Sequence, residues 1–319
     1  MRALFVIVTV LAAAYAGYWF VGSHQIENRA ADALAGLRER GWFVDFSSLD
    51  TTGFPSRFDT TVADLRVAPP NGAVEWAAPF LQVFALSYRP NEVIVVWPDS
   101  QTLSLAAGRE VAITSDDLRA SAAVRLSGDL PLREAVLDGR NLGVLDPLSG
   151  QAARADRVLA AIRERGGTNG YDAFVEVEGL AAGPMSAPLD LAVEAAVTLD
   201  RPLDRRLRGA PALLGLTLRD ARLAFGGAAL TASGELAADA QGYLAGTVTL
   251  VAEDWRDLLD RLEGAGTLPE GRAALVAGAL EGLAGDGDRI EVPVTFADGR
   301  VSALGLPLLD APRVLPAGG

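Results

Sequence analysis

The chain has 319 residues, half of them hydrophobic, and a formal net charge of −13. That length and apolar share allow one large or two ordinary domains with real cores and exclude global disorder. The acidic balance excludes a basic nucleic-acid-binding face. With no Cys at all, disulfides, thiolate metal sites and cysteine nucleophiles are excluded together.

Met1-Arg2 precedes an uncharged apolar run from Ala3 to Val21. As a helix rising ~1.5 Å per residue it spans roughly 28 Å, close to the ~30 Å hydrocarbon core of a bilayer. Tyr18, Trp19 and Phe20 sit at its far end, where amphipathic rings favour the interface. The positive charge ahead of the run keeps the N-terminus cytoplasmic and sends the rest across the inner membrane to the periplasmic side. A second reading is a cleaved signal peptide, because Ala14-Tyr15-Ala16 fits the small-x-small rule and cleavage near Ala16 would leave a soluble periplasmic protein. Residues 1–24 are therefore an anchor or a signal peptide. Residues 25–41 form a stalk helix, with Ile26, Ala30, Leu34 and Leu37 on one face and Gly41 as its stop.

From Trp42 the period changes to two. Strands are expected at 58–67, 74–88, 92–97, 102–106, 109–114 and 118–126, separated by turn chemistry such as Pro69-Pro70-Asn71-Gly72. Gln151 to Arg165 reads as a helix with Ala155, Leu159 and Ile162 on its apolar face, stopped by Gly166-Gly167. Strands resume at 173–179, 189–199, 213–225, 228–236 and 243–252. Trp255, Leu258, Leu259 and Leu262 then give an amphipathic helix, and Val276, Leu280 and Leu283 continue the pattern after Pro269-Glu270. A hairpin closes the chain, 290–296 and 301–306 around Ala297-Asp298-Gly299-Arg300, before a proline-rich, frayed tail at 307–319. The expected fold is α+β and predominantly antiparallel β: an N-terminal transmembrane helix and stalk helix, then curved β-sheet with a few packed helices. Its two β-rich halves are 42–150 and 151–306.

Gly53-Phe54-Pro55-Ser56-Arg57-Phe58-Asp59, Trp76-Ala77-Ala78-Pro79, the stretch from Tyr88 to Pro98, and Thr114 to Ser121 resemble an uncharacterised family of bacterial envelope proteins, the domain of unknown function 2125. The second half, with the strand from Gly242 and the terminal Asp-Gly hairpin, is more loosely similar to AsmA-type proteins. That resemblance implies an anchored protein whose β-sheets curl into apolar grooves and which handles lipid. Neither resemblance supplies a catalytic motif.

His24, the one histidine, is too isolated for a ligand cluster or a catalytic triad. Asp116-Asp117 are adjacent, so on a strand they point to opposite faces and serve a turn rather than acid–base chemistry. Asp286-Gly287-Asp288 lacks the later ligands of a calcium loop. No phosphate-binding glycine loop is present, and no cofactor or metal is expected. The aromatics Phe54, Phe58, Trp76, Phe80, Phe84, Tyr88 and Trp97 concentrate in the first half. They form either a core corner or the lining of an apolar cleft. The expected protein is non-enzymatic and membrane-anchored through residues 3–21. It binds lipid or another apolar ligand in a β-groove, or else serves as an interaction module for another envelope protein; nucleic acid is no partner.

Overall fold

The computed structural model describes residues 2–105, 108–166, 169–183, 185, 187–264, 277–278, 280–282, 287–303 and 305–314. The fold is predominantly antiparallel sheet with a long apolar N-terminal helix, as the period-two patterning indicated. The chain divides into two units: Met1–Val124 with Leu137–Ala152, and Arg125–Val136 with Ala153–Gly319.

In the first unit, α1 (Arg2–Glu39) is one unbroken helix of 38 residues, about 57 Å long. The stalk helix continues the apolar segment without a break at residues 24–25. No proline interrupts the segment, and its Ala- and Leu-rich composition favours continuous helix. The helix ends as the sequence indicated. Gly41 adopts φ +83°, Trp42 N–H donates to the Leu37 carbonyl (3.1 Å), and Gly41 N–H donates to that of Arg38 (2.9 Å). This pair of bonds is a Schellman cap, which a Cβ at Gly41 would strain. Leu34 and Leu37 pack on Val44, Val62 and Leu65, the buried core of the unit.

The strands of this unit are β1 (Phe43–Asp45), β2 (Ser48–Thr52), β3 (Arg57–Ala68), β4 (Val74–Leu86), β5 (Arg89–Trp97), β6 (Ser100–Leu105), β7 (Arg109–Thr114), β8 (Asp117–Val124) and the later part of β9 (Leu132–Leu145). Strand β4 pairs with β3 along its length and then forks on its other side: Val74–Ala77 meets β6, while Gln82–Leu86 meets β5. The fork falls at Pro79, which has no N–H to give a ladder and is exposed. Asp64 lies at the same step of β3 with φ +51°. Val62 and Leu65 are three residues apart yet share one core cluster, so this irregularity resets which face the strand presents.

The second unit is an up-and-down meander of β10 (Ala152–Glu164), β11 (Gly170–Ala182), β12 (Leu189–Leu199), β13 (Leu213–Phe225), β14 (Ala228–Ala238), β15 (Leu244–Glu253), β16 (Arg289–Ala297), β17 (Arg300–Ala303) and β18 (Leu306–Asp310), each antiparallel to the next. Helix α2 (Trp255–Gly264) lies between β15 and β16 in sequence. The helix expected at 151–165 is strand β10. Its Ala and Arg residues suit a helix, but Val158, Ala160 and Ile162 also alternate, and ten residue pairings with β11 fix the extended form. The Asp-Gly hairpin is as expected: Asp298 (φ +52°) and Gly299 (φ +71°) supply the two positive φ values of a type I′ turn. The tail is not frayed from Pro307. Strand β18 pairs with β17, Ala311 is buried, and Val314 N–H donates to the Gly242 carbonyl (2.8 Å). The helix expected after Pro269 falls largely outside the described residues.

Candidate functional site

The register of the second unit aligns its apolar side chains into rows that run straight across the sheet. One row is Val158, Val177, Leu191, Leu223, Leu230, Ala252 and Ile290, each paired with the next across seven strands. The adjacent row is Ala160, Val175, Val193, Ala221, Ala232, Leu250 and Val292. Positions two apart on a strand share a face, so the rows form one continuous apolar surface. Bulges between Val177 and Leu180 on β11 and between Leu218 and Ala221 on β13 keep that phase while bending the strands.

At the β14–β16 end this surface is closed. Trp255, Leu258 and Leu259 of α2 pack on Ala228, Ala252, Ile290 and Val292, all of which are buried. At the β10–β13 end it is open. Val158, Val177, Leu191, Val193, Ala221 and Leu223 are only half-buried, and Val175 is 37% exposed. Helix α2 packs on one end of the rows, whereas the side chains at the other end are half-buried. This open stretch of half-buried aliphatic side chains is the candidate site.

The structure separates the seven aromatics singled out in the sequence. Phe58 is buried and stacks on Trp19 of α1 at 5.7 Å between centroids. Phe54 stacks on Phe20 at 5.8 Å and meets the edge of Trp19 at 5.5 Å. Trp76 packs on the core cluster of the first unit, and its indole N–H donates to Gln101 Oε1 (2.9 Å). Phe80 and Phe84 pair across the ladder with Ala63 and Asp59. Those partners alternate with Val62 and Phe58, so both rings lie on the face of β3–β4 opposite Phe58. Trp97 pairs with Leu118, and Tyr88 is exposed at the β4–β5 turn. Of the seven, Phe54 and Phe58 come together through Trp19. The aliphatic rows of the second unit were not singled out as a site, because small residues at period two read as ordinary strands until pairing aligns them.

Over residues 19–312 the chain matches the model of a family described as an uncharacterized protein conserved in bacteria, DUF2125. The chain belongs to this family. No curated protein and no solved structure matches it. The DUF2125 match begins at Trp19, the first buried residue of α1, so it takes in the docked part of the helix together with the sheet.

The face of the second unit opposite the apolar rows is charged. Arg219 donates to Asp172 (2.6 Å) and Glu194 (3.0 Å), and Arg157 lies 3.7 Å from Glu176. The hydrogen bond to Asp172, then that to Glu194, raises the Arg219 pKa above its ordinary value. A hollow of about 550 Å³ on this unit is lined by Asp156, Glu176, Glu178, Asp190 and Arg222 among others. Two of its carboxylates are engaged locally: Asp190 accepts the Gly179 N–H (2.7 Å) and Glu176 faces Arg157. Among the described residues no three His, Cys, Asp or Glu side chains are grouped to hold a metal.

The other polar residues considered in the sequence are likewise engaged one by one. His24 is an exposed neighbour of Glu27 (3.9 Å), whose Oε1 accepts the Thr51 N–H (2.7 Å). Asp116 accepts from Asn141 (2.6 Å), whereas Asp117 pairs with Arg119 (2.8 Å), so the two carboxylates act separately. Asp288 pairs with Arg256 (3.1 Å), and Asp286 lies outside the described residues.

Proposed function

We propose that this DUF2125 protein is a non-enzymatic, membrane-anchored periplasmic protein that holds an acyl-chain-bearing lipid against the open apolar face of β10–β13. The observation that carries the reading is the contrast along the rows. Under α2 the rows end in the buried Ala252, Ile290 and Val292, whereas at β10–β12 Leu191 and Val193 are half-buried and Val175 is 37% exposed. Burial of apolar surface is favourable by about 25 cal/mol per Å², so a ligand that covers these side chains gains what α2 gains at the other end. Aliphatic rows with no polar interruption suit a flexible hydrocarbon chain better than a ligand fixed by hydrogen bonds. Helix α1 is long and apolar enough to cross a membrane, and Arg2 ahead of the run supports a cytoplasmic N-terminus.

The test is the amount of phospholipid that stays with the full chain after extraction into amphipol and exhaustive washing. Stoichiometric lipid on the native chain, lost in the double variant Leu191→Asp, Val193→Asp while the fold persists, is the expected result. Equal retention by both chains would overturn the lipid site. A lipid-free chain that instead pulls down an envelope protein through the same two residues would favour the interaction-module reading.

A further inference from the structure

In the first unit, α1 meets the sheet inside its apolar run, not after it. Tyr15 Oη donates to the Pro55 carbonyl (2.9 Å) and lies 2.8 Å from Ser87 Oγ. Tyr18 Oη donates to the Ser87 carbonyl (2.8 Å), and the Trp19 indole N–H donates to that of Arg57 (2.7 Å). The partners sit on two neighbouring turns, 53–57 between β2 and β3 and 87–88 between β4 and β5. Those turns are therefore level with residues 15–19 of the helix. The run before Tyr15, where Leu4, Phe5 and Leu11 are exposed, is only about 18 Å long, well short of the ~30 Å hydrocarbon core. To bury the whole run, a bilayer must extend alongside both turns.

We infer that the turns Gly53–Arg57 and Ser87–Arg89 form a bilayer-contacting tip, seated where the headgroup layer meets the hydrocarbon core, with Phe54 and Tyr88 as its anchors. Phe54 is 52% and Tyr88 66% exposed, although both carry large rings of the kind that partition to the interface. Arg57 and Arg89 flank them, with side chains 57% and 62% exposed, paired with Asp59 (3.0 Å) and Glu92 (3.8 Å) and placed at the level of the headgroups. Ser87 is almost fully buried against Tyr15, so the tip is held to the helix by satisfied polar contacts as well as by ring stacking. The first unit is thus fixed at the membrane surface, without a free stalk between anchor and sheet. This inference rests on the membrane-anchored reading and is independent of the lipid site on the second unit.

The chain lacks cysteine, so single cysteines can carry an environment-sensitive fluorophore. Phe54→Cys, Tyr88→Cys and, at the opposite end of the β3–β4 pair, Asn71→Cys are introduced into the full chain. Each is reconstituted into phosphatidylcholine–phosphatidylglycerol vesicles with iodide on both sides. Labels at 54 and 88 should be several-fold less accessible to iodide than the label at 71 and should be quenched by lipid carrying a nitroxide near its headgroup. Equal iodide access at all three sites, in a chain that floats with the vesicles, would overturn the tip while leaving the anchor intact. A chain that fails to float would overturn the anchor and the tip together. Tyr88→Cys guards against a folding defect at Phe54, because the Tyr88 side chain is largely exposed.

Discussion

The Trp19 indole donates to the Arg57 carbonyl at 2.7 Å while its ring stacks on Phe58 at 5.7 Å. Both rings are buried, at 4% and 3% exposure, so this pair fastens the end of the apolar run to the first strand of the sheet that it reaches. Trp19→Ala should destabilise the first unit by about 3 kcal/mol, the range for truncating a buried aromatic. Trp19→Phe keeps a ring and loses the hydrogen bond, so it should cost about 1 kcal/mol. Denaturant unfolding of the full chain in mild detergent reads both values.

Gly22 lies beside the same contact, and a Cβ there would come within 2.9 Å of the Phe58 ring. Gly22→Val should therefore displace the buried Phe58 and raise protease sensitivity at residues 53–57. Gly17→Val has open space and should leave the digestion pattern unchanged.

In the second unit, Gly246 sits between Leu236 and Phe296 with φ +142°, and a Cβ would fall on the Glu235 carbonyl. Gly246→Ala should cost more than about 1 kcal/mol, through both the conformation and the clash. Gly128→Ala, with nothing near its Cβ, should stay within about 0.5 kcal/mol of the native chain in the same melt.

Asp146 organises the turn after β9. It accepts from Ser149 Oγ (2.8 Å) and from the Leu148 N–H (3.0 Å), with Arg109 3.4 Å away. The Ser149 hydrogen bond first, then the backbone donors and Arg109, hold its carboxyl below the ordinary value against the opposing effect of burial. Its contribution to stability is complete above the unfolded value of about 3.9 and is lost as pH falls through the lower folded value. A ¹³C carboxylate titration should show Asp146 protonating below the ordinary aspartate value. Asp146→Asn should remove that share of the acid sensitivity.

Much of the sheet is legible in the sequence, because alternation and turn residues act locally. The strands at 109–114, 189–199 and 213–225 and the type I′ turn at Asp298-Gly299 follow from period and turn chemistry alone. Strand β10 does not: Ala155, Leu159 and Ile162 fit a helix as well as Val158, Ala160 and Ile162 fit a strand, and only pairing with β11 decides. The same holds for the candidate site. Val177, Leu191 and Leu223 lie far apart in sequence and become one row only through register. For Trp19, the run of apolar residues points to an interface ring, and nothing local marks Phe58 as its partner.

The claim that a lipid lies on the open rows is tested most directly by a photo-reactive side chain at Val193 and, as its neighbour on the opposite face, at Glu194. Both chains are irradiated in native membranes. The expected result is a phospholipid adduct from position 193 and none from 194. Equal labelling at both positions, or a protein adduct alone at 193, would contradict it.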